Sequence, residues 1–484
     1  MPPRPVFSVP CIAVRRSIFA VVVVSLVCTG AALAATLVAP GTISTIAGSG
    51  TEGRSGDGGP ASVAALGHPR GLAVLSDGAY LVAQPFDNVV RRVASDGTIS
   101  TVAGTGAAGS GGDGGQATLA ELRLPHGVAV VPSGVLVADM LNDSIRMVRP
   151  DGAIVTVAGI GRMGYSGDGG LATAAAIAAP RGVAGLPDGG FLIPDTGNER
   201  IRRVWPNGTI TTVTGTGTQG DAGDGGPAVA AQLDRPFGAA SLPDGGFLIA
   251  EAGGDRVRRV WPDGVIRTVA GVGTAGFSGD GGPARAAQLD SPHAIATLPN
   301  GGFLIADASN NRVRRVWPDG TITTVAGTGV AGFAGDGGPA AAAELSLPKA
   351  LAVLPDGSAF LVGDAANNRV RLVAFPTAAA PRIVSSTFGS LRRPDRKPLD
   401  VARVRVCDGS RSRLTASVVE RGLGGAAKER ATWSLGLAST SGGCRGYVIP
   451  LRQLGSGAYA VRVWIRNLAG SKSNVVAGSF KRRR

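Results

Sequence analysis

The tetrad Gly-Asp-Gly-Gly begins at Gly56, Gly112, Gly167, Gly223, Gly279 and Gly335, at spacings of 56, 55, 56, 56 and 56 residues. A near-constant period of this size makes each copy one supersecondary unit. Such a unit cannot bury its apolar face alone, so the chain must build a stack or a ring of repeats. Glycine fills 76 of 484 positions, but no collagen-like triplet register accompanies it. Hydrophobic residues make up 44% of the chain and charged residues 17%, which excludes charge-driven disorder and leaves material for a sizeable core.

Each unit holds four short runs that alternate or are β-branched. In the fifth copy these are residues 294–298, 302–306, 312–317 and 321–326, joined by Pro299-Asn300-Gly301 and Pro318-Asp319-Gly320. Such turns pre-set hairpins. Four antiparallel strands per repeat is the size of one propeller blade, and six copies from about Thr42 to Phe375 predict an all-β, six-bladed β-propeller. A linear solenoid would need atypical capping repeats at its ends, and the pattern has none. Residues 42–48 read as a fourth strand with no preceding three, whereas the last copy stops after its third run at 369–375. The orphan strand is therefore expected to complete the sixth blade and remove an open sheet edge.

The run Pro-x-Gly-Val-Ala-Val, then Asp-Gly, then Leu-Ile-Ala-Asp-x-x-Asn-x-Arg-Ile/Val-Arg, is similar to NHL repeats, and the AGTG…GDGGPA preface resembles their secreted bacterial subgroup. The resemblance implies an NHL-like propeller and leaves function open. Propellers of this family serve as extracellular sensor domains, adhesion modules, RNA-binding ends of cytoplasmic proteins and, in one branch, a zinc lyase.

Features repeated in every copy read as structural. Asp57, Asp113, Asp168, Asp224, Asp280 and Asp336 precede a Gly-Gly-Pro-Ala turn in most copies, where a carboxylate is expected to cap a short helix with proline in its first turn. A calcium loop would need six to eight oxygens, more than one or two carboxylates supply. A phosphate cradle would need a following lysine at P-loop spacing. The Asp-x-x-Asn-x-Arg turns, such as Asp195, Asn198 and Arg200, are expected to make turn and inter-blade hydrogen bonds. Trp205, Trp261 and Trp317 end third strands, where packing is favoured over a sugar-stacking row.

A unique site is expected where the copies differ. The position after the proline that opens each innermost strand reads Arg70, His126, Arg181, Phe237, His293 and Lys349, which places these six around the mouth of the central channel. The resemblance implies that a zinc lyase would carry histidines here in three alternate blades. Only His126 and His293 match, in opposite blades, and three cations in the same ring repel a metal. The ring instead suits an anionic group, a carboxylate or phosphate on a surface glycan. The other histidine of the mature chain, His68, lies in no nucleophile elbow or triad motif. No catalytic residue, metal or cofactor is expected.

Residues 1–34 are expected to be a signal peptide: Arg4, Arg15 and Arg16 lead a short apolar run that ends in Ala32-Leu33-Ala34. Cys407 and Cys444 then remain as the one cysteine pair of the mature chain, which an oxidising compartment would join as a disulfide. The propeller is expected over 35–376 and a small-residue linker over 377–381. Residues 382–484, with about seven strand-like runs, suggest a small immunoglobulin- or fibronectin III-like β-sandwich. Residues 35–377 hold 24 basic and 29 acidic side chains, and residues 378–484 hold 21 and 5. An exported protein with so basic an end meets anionic wall polymers and lipid headgroups before nucleic acid. The expected protein is a secreted or cell-envelope monomer without a transmembrane span or a nucleic-acid partner. It binds or scaffolds an envelope polymer, glycan or extracellular protein, and the alternative is an extracellular lyase or hydrolase using the channel mouth.

Overall fold

The computed structural model describes residues 41–375 throughout and, beyond them, strand backbones between 382 and 482. The expected signal segment 1–34 and linker 377–381 lie outside the described residues.

Residues 41–375 form a six-bladed propeller of four-stranded antiparallel sheets. The first blade runs from Gly71–Val74 at the channel through Tyr80–Gln84 and Val89–Val93 to Ile99–Ala103 at the rim, and blades two to five repeat this order. The sixth blade takes its outermost strand from the start of the chain: Ile43–Ala47 pairs antiparallel with Arg369–Ala374. Second strands such as Phe303–Asp307 are buried at every position, because both sheet faces meet neighbouring blades. The core is therefore divided into layers between adjacent blades. Leu136, Ala138 and Ile145 of blade two, for example, pack with Ile193, Val204 and Ile210 of blade three.

The tetrad aspartates do not cap a helix. Each short 3-10 turn, such as Ala61–Val63, has no side-chain cap, and Pro60 stands at the N-cap position. Asp57 instead accepts from Arg91 Nε at 3.0 Å and Nη2 at 2.5 Å, while its other oxygen accepts the Thr101 N–H of the outermost strand at 3.0 Å. The arrangement recurs as Arg146 with Asp113, Arg202 with Asp168, Arg258 with Asp224, Arg314 with Asp280 and Arg371 with Asp336. All six arginines are at most 1% exposed. A guanidinium has donors to spare for the irregular glycine loop: Arg91 also bonds the Ala65 and Ser55 carbonyls, which no sheet satisfies. Burial would raise the aspartates, but hydrogen bonds from threonine and arginine outweigh it and hold Asp57, Asp113, Asp168 and Asp224 below the ordinary carboxylate range. The first tetrad glycine is needed for this packing. Gly167 has φ +88°, and a Cβ there would lie 2.6 Å from the Ala175 Cα of the 3-10 turn.

A second carboxylate faces each arginine from the end of the second strand in blades two to six. Asp195 lies 3.5 Å from Arg202, accepts from the Ala178 N–H at 2.7 Å, and is bonded by Asn198, whose amide also reaches the Gly164 carbonyl. Blade one exchanges the types, with Gln84 donating to Gly53 O and to Asp87. Blade four keeps the carboxylate, with Glu251 3.6 Å from Arg258, but lacks the amide partner. Glu251 is fully buried, Gly254 stands where asparagine would, and neither carboxylate oxygen makes a hydrogen bond. Burial pushes Glu251 up to about 8.

Blades are joined by one repeated clamp. The side chain that follows the turn after each second strand accepts a backbone N–H just ahead of the next channel strand: Asn88 from Leu124, Asp143 from Ala179, Glu199 from Arg235, Asp255 from Ser291, Asn311 from Leu347 and Asn368 from His68. All six donors hold a left-handed backbone with φ of 44–53°. That conformation costs a non-glycine residue roughly 1–2 kcal/mol, so the clamp fixes a strained bend. The last clamp, Asn368 to His68, closes the ring.

Farther along, Arg382–Leu391, Leu399–Cys407 and Cys444–Pro450 form one antiparallel sheet, and Ser412–Arg421, Ala427–Ala438, Gly457–Asn467 and Val476–Arg482 form another. Cys407 and Cys444 occupy opposed positions in the register. The side chains of this region, and with them the expected disulfide and sandwich packing, lie outside the described residues. Among the described residues no helix is long and apolar enough to cross a membrane.

Two measurements test these contacts. Deletion of residues 35–50 leaves Arg369–Ala374 as an open edge and should cause aggregation or a large fall in melting temperature; an unchanged melt overturns the closure. Glu251 has its folded pKa raised to about 8 from an ordinary 4.5, so its stabilising contribution is whole below pH 4.5 and is lost as pH rises through 8. Glu251→Gln puts an uncharged amide where blade one has Gln84, although Gly254 supplies no counterpart to Asp87. It should therefore stabilise the propeller by roughly 1–3 kcal/mol at pH 8.5 and far less at pH 4.5; a difference independent of pH in thermal melts overturns the assignment.

Candidate functional site

The six innermost strands surround the channel, each beside its neighbours in the ring. Four begin at or next to the proline of the Pro-x-Gly or Pro-x-Ala motif: Pro125–Val131, Pro236–Ser241, Pro292–Thr297 and Pro348–Val353. The small residue after the variable position lets adjacent strands approach closely. A Cβ at Gly182 would lie 2.6 Å from the Phe237 carbonyl oxygen, and one at Gly238 the same distance from that of His293. Tight spacing of the backbones drives the six variable side chains into one shared space.

That space is a cavity of about 110 Å³ lined by all six: Arg70, His126, Arg181, Phe237, His293 and Lys349. Two arcs of contact organise it. On one, Arg70 Nη1 lies 2.9 Å from His126 Nε2, and the Arg70 guanidinium sits 5.1 Å from the Phe86 ring, which meets His68 edge-on at 4.7 Å. Because arginine can only donate, His126 Nε2 is the acceptor and its proton resides on Nδ1. On the other arc, Arg181 stacks 4.4 Å over Phe237, whose ring meets His293 at 4.8 Å. Lys349 makes no hydrogen bond or ion pair among the described residues.

Among the described residues no carboxylate lines the cavity. Three cations therefore share a partly desolvated space without compensation. Burial, and then the charges of Arg70 and Arg181, push Lys349 down to about 8. Burial and the neighbouring cations likewise hold His126 and His293 well below the ordinary histidine value, so both are neutral at pH 7. The arrangement offers cationic and neutral hydrogen-bond donors to an entering group, with an aromatic wall on one side. Among the described residues no group of three or more His, Cys, Asp or Glu is placed to hold a metal ion.

Sequence reasoning overlooked Phe86 and gave His68 no place near the ring. Their signal was present, since Gln84-Pro85-Phe86-Asp87 departs from the Asp-x-x-Asn pattern of blades two, three, five and six. The tryptophans are stacked by arginine: Arg203 over Trp205 and Arg315 over Trp317, each at 3.6 Å, and Arg259 over Trp261 at 4.7 Å. One face of each ring is thus occupied within the protein.

Comparison with known proteins bears on the fold. Residues 289–316 match the family model of the NHL repeat. The chain is 30% identical to teneurin-1 of Mus musculus over 235 residues, which make up 43% of this chain and 8% of teneurin-1. Among solved structures, a protein of unknown function from Bacteroides thetaiotaomicron superposes with TM-score 0.52 at 18% identity, covering 69% of this chain and 75% of that one. An auxiliary nutrient binding protein from Bacteroides ovatus superposes with TM-score 0.52 at 17% identity, covering 69% and 76%. Both likenesses are of fold. The fifth blade thus carries a matched NHL repeat, five further copies of the same pattern surround it, and together the six form a six-bladed β-propeller.

Proposed function

We propose that this protein is an extracellular or envelope-associated binding propeller whose channel mouth captures an anionic group, a carboxylate or phosphate carried by an envelope glycan or an extracellular protein. The observation that carries the reading is the ring itself: Arg70, Arg181 and Lys349 line one cavity that has no acidic side chain among the described residues. Charge-assisted hydrogen bonds from such donors are about twice as strong as neutral ones, and a bound anion would offset the burial and the neighbouring positive charges that together depress Lys349. His126 and His293, neutral at pH 7, add hydrogen-bonding capacity without adding charge. A fold neighbour is named as a nutrient-binding protein. Residues 378–484, with 21 basic and 5 acidic side chains, serve in this reading as an electrostatic tether to an anionic surface.

Cosedimentation with purified cell envelope, using residues 35–484 and residues 35–376 in parallel across a salt series, separates the two parts. The tether predicts that the longer chain is released as salt rises. The ring predicts residual binding by residues 35–376 that the triple variant Arg70→Ala, Arg181→Ala, Lys349→Ala abolishes. Binding unchanged in that variant removes the channel mouth from the function, and no binding by either chain overturns the surface role and favours a released enzyme.

The ring also fixes a pH dependence. Lys349 is charged below about 8 and loses its proton above it, so capture should be strong at pH 7 and fall through pH 8–9. An effect of about tenfold, or 1.4 kcal/mol, is expected. Lys349→Met should bind more weakly at pH 7 and show no change between pH 7 and 9; the same pH profile in that variant would refute the role of Lys349.

A further inference from the structure

The fourth blade departs from its siblings at the rim as well as at Glu251. In blades three, five and six an arginine that opens the third strand lies flat on an aromatic ring: Arg200 on Tyr165 at 3.7 Å, Arg312 on Phe277 at 3.6 Å and Arg369 on Phe333 at 3.6 Å. Asp221 takes the aromatic position in blade four. Arg256, without a ring to cover it, donates to Gly254 O at 3.0 Å and to Asp221 at 3.2 Å.

A groove of about 480 Å³ lies beside it, lined by Arg256, Arg267 and Arg285 together with Asp224, Thr268 and Val272. The acidic charges there are already committed. Asp224 is held by buried Arg258 and by the Thr268 N–H, and Asp221 by Arg256. Arg267 and Arg285 are exposed and make no hydrogen bond or ion pair among the described residues; the nearest ring to Arg267 is Trp261 at 5.7 Å. Arg267 comes from the outermost strand Ile266–Ala270 and Arg285 from the 3-10 turn Ala284–Ala286, which packs against that strand. The equivalent positions in the other five blades hold only serine, threonine, valine or alanine. A rim with two uncompensated guanidinium groups facing one groove therefore occurs in one blade of six.

We propose that this groove is a second anion site, separate from the channel mouth, in which Arg267 and Arg285 together hold a phosphate group. Two planar guanidinium forks offer paired N–H donors that match phosphate oxygens. The groove exceeds a single ion in volume, so the phosphate can be carried on a larger molecule.

Residue-resolved protection distinguishes this site from the basic C-terminal region, which would dominate any bulk binding measurement. Arginines of the full chain are modified with phenylglyoxal and quantified by mass spectrometry, with and without inorganic phosphate. Modification of Arg267 and Arg285 should slow at least fivefold, while exposed Arg149 and Arg162 change little. Arg285→Ala should abolish the protection of Arg267, and Arg285→Lys should retain part of it. The ring variant Arg70→Ala, Arg181→Ala, Lys349→Ala should leave the protection intact, so the channel reading and this one fail separately. Protection of Arg267 and Arg285 no greater than that of Arg149 and Arg162, or persistence of Arg267 protection in Arg285→Ala, overturns the site. Repeating the titration with poly(glycerol phosphate) at matched phosphate identifies the source: protection at tenfold lower concentration marks a polymer-borne phosphate, and equal protection marks the free ion.

Discussion

Six arginines without access to solvent hold the propeller together. Each stands on the third strand of its blade, and its guanidinium meets the tetrad aspartate, the carbonyls of the glycine-rich loop and, in five blades, a carboxylate or its equivalent from the second strand. A buried ion pair adds little beyond what a well-packed apolar group would give, but removing one partner costs about 3–5 kcal/mol, because the other is left charged and dry. The arginine does what an apolar side chain could not. It supplies donors to a loop too rich in glycine to form a ladder, and so lets a long irregular segment pack on the blade. The aspartate also binds the outermost strand, so one carboxylate joins loop, third strand and rim.

Between blades the dependence is on hydrogen bonds at strained bends. Every blade presents a side-chain oxygen to a left-handed residue of its neighbour, and the ring closes only when Asn368 meets His68, 300 residues away in sequence. Closure also runs through strand pairing, since the sixth blade needs Ile43–Ala47, and the Thr45 N–H donates to Asp336 in place of the threonine that blades one, two and four draw from their own fourth strands. The apolar layers between blades are then continuous around the circle, which is why no blade can be judged stable alone.

On such a frame the positions that differ between copies are free to acquire chemistry. The channel ring and the rim of blade four are both made by substitution into fixed backbone positions. At the ring, Gly182 and Gly238 keep the strands close whatever side chain precedes them. At blade four, replacement of an aromatic by Asp221 and the arrival of Arg267 and Arg285 change charge without changing topology. Glu251 shows that departures carry a cost as well, because it lacks the asparagine that satisfies its counterparts.

The sequence by itself determined the number of blades, the four strands in each, the offset that closes the ring and the six residues facing the channel. All of these follow from a period near 56 residues and from strand and turn patterns that are local in the chain. It did not show what the repeated aspartates do. Asp168 reads locally as a cap for the turn that follows, whereas its partner Arg202 lies 34 residues on and is brought to it only by the folded blade. In the same way Arg70 and His126, 56 residues apart, become hydrogen-bonded neighbours only when adjacent blades pack, and Phe86 joins them from a different turn. Charge compensation was likewise decided by the tertiary structure. Which arginines are paired and which remain open depends on distances between segments, and periodicity carries no information about these.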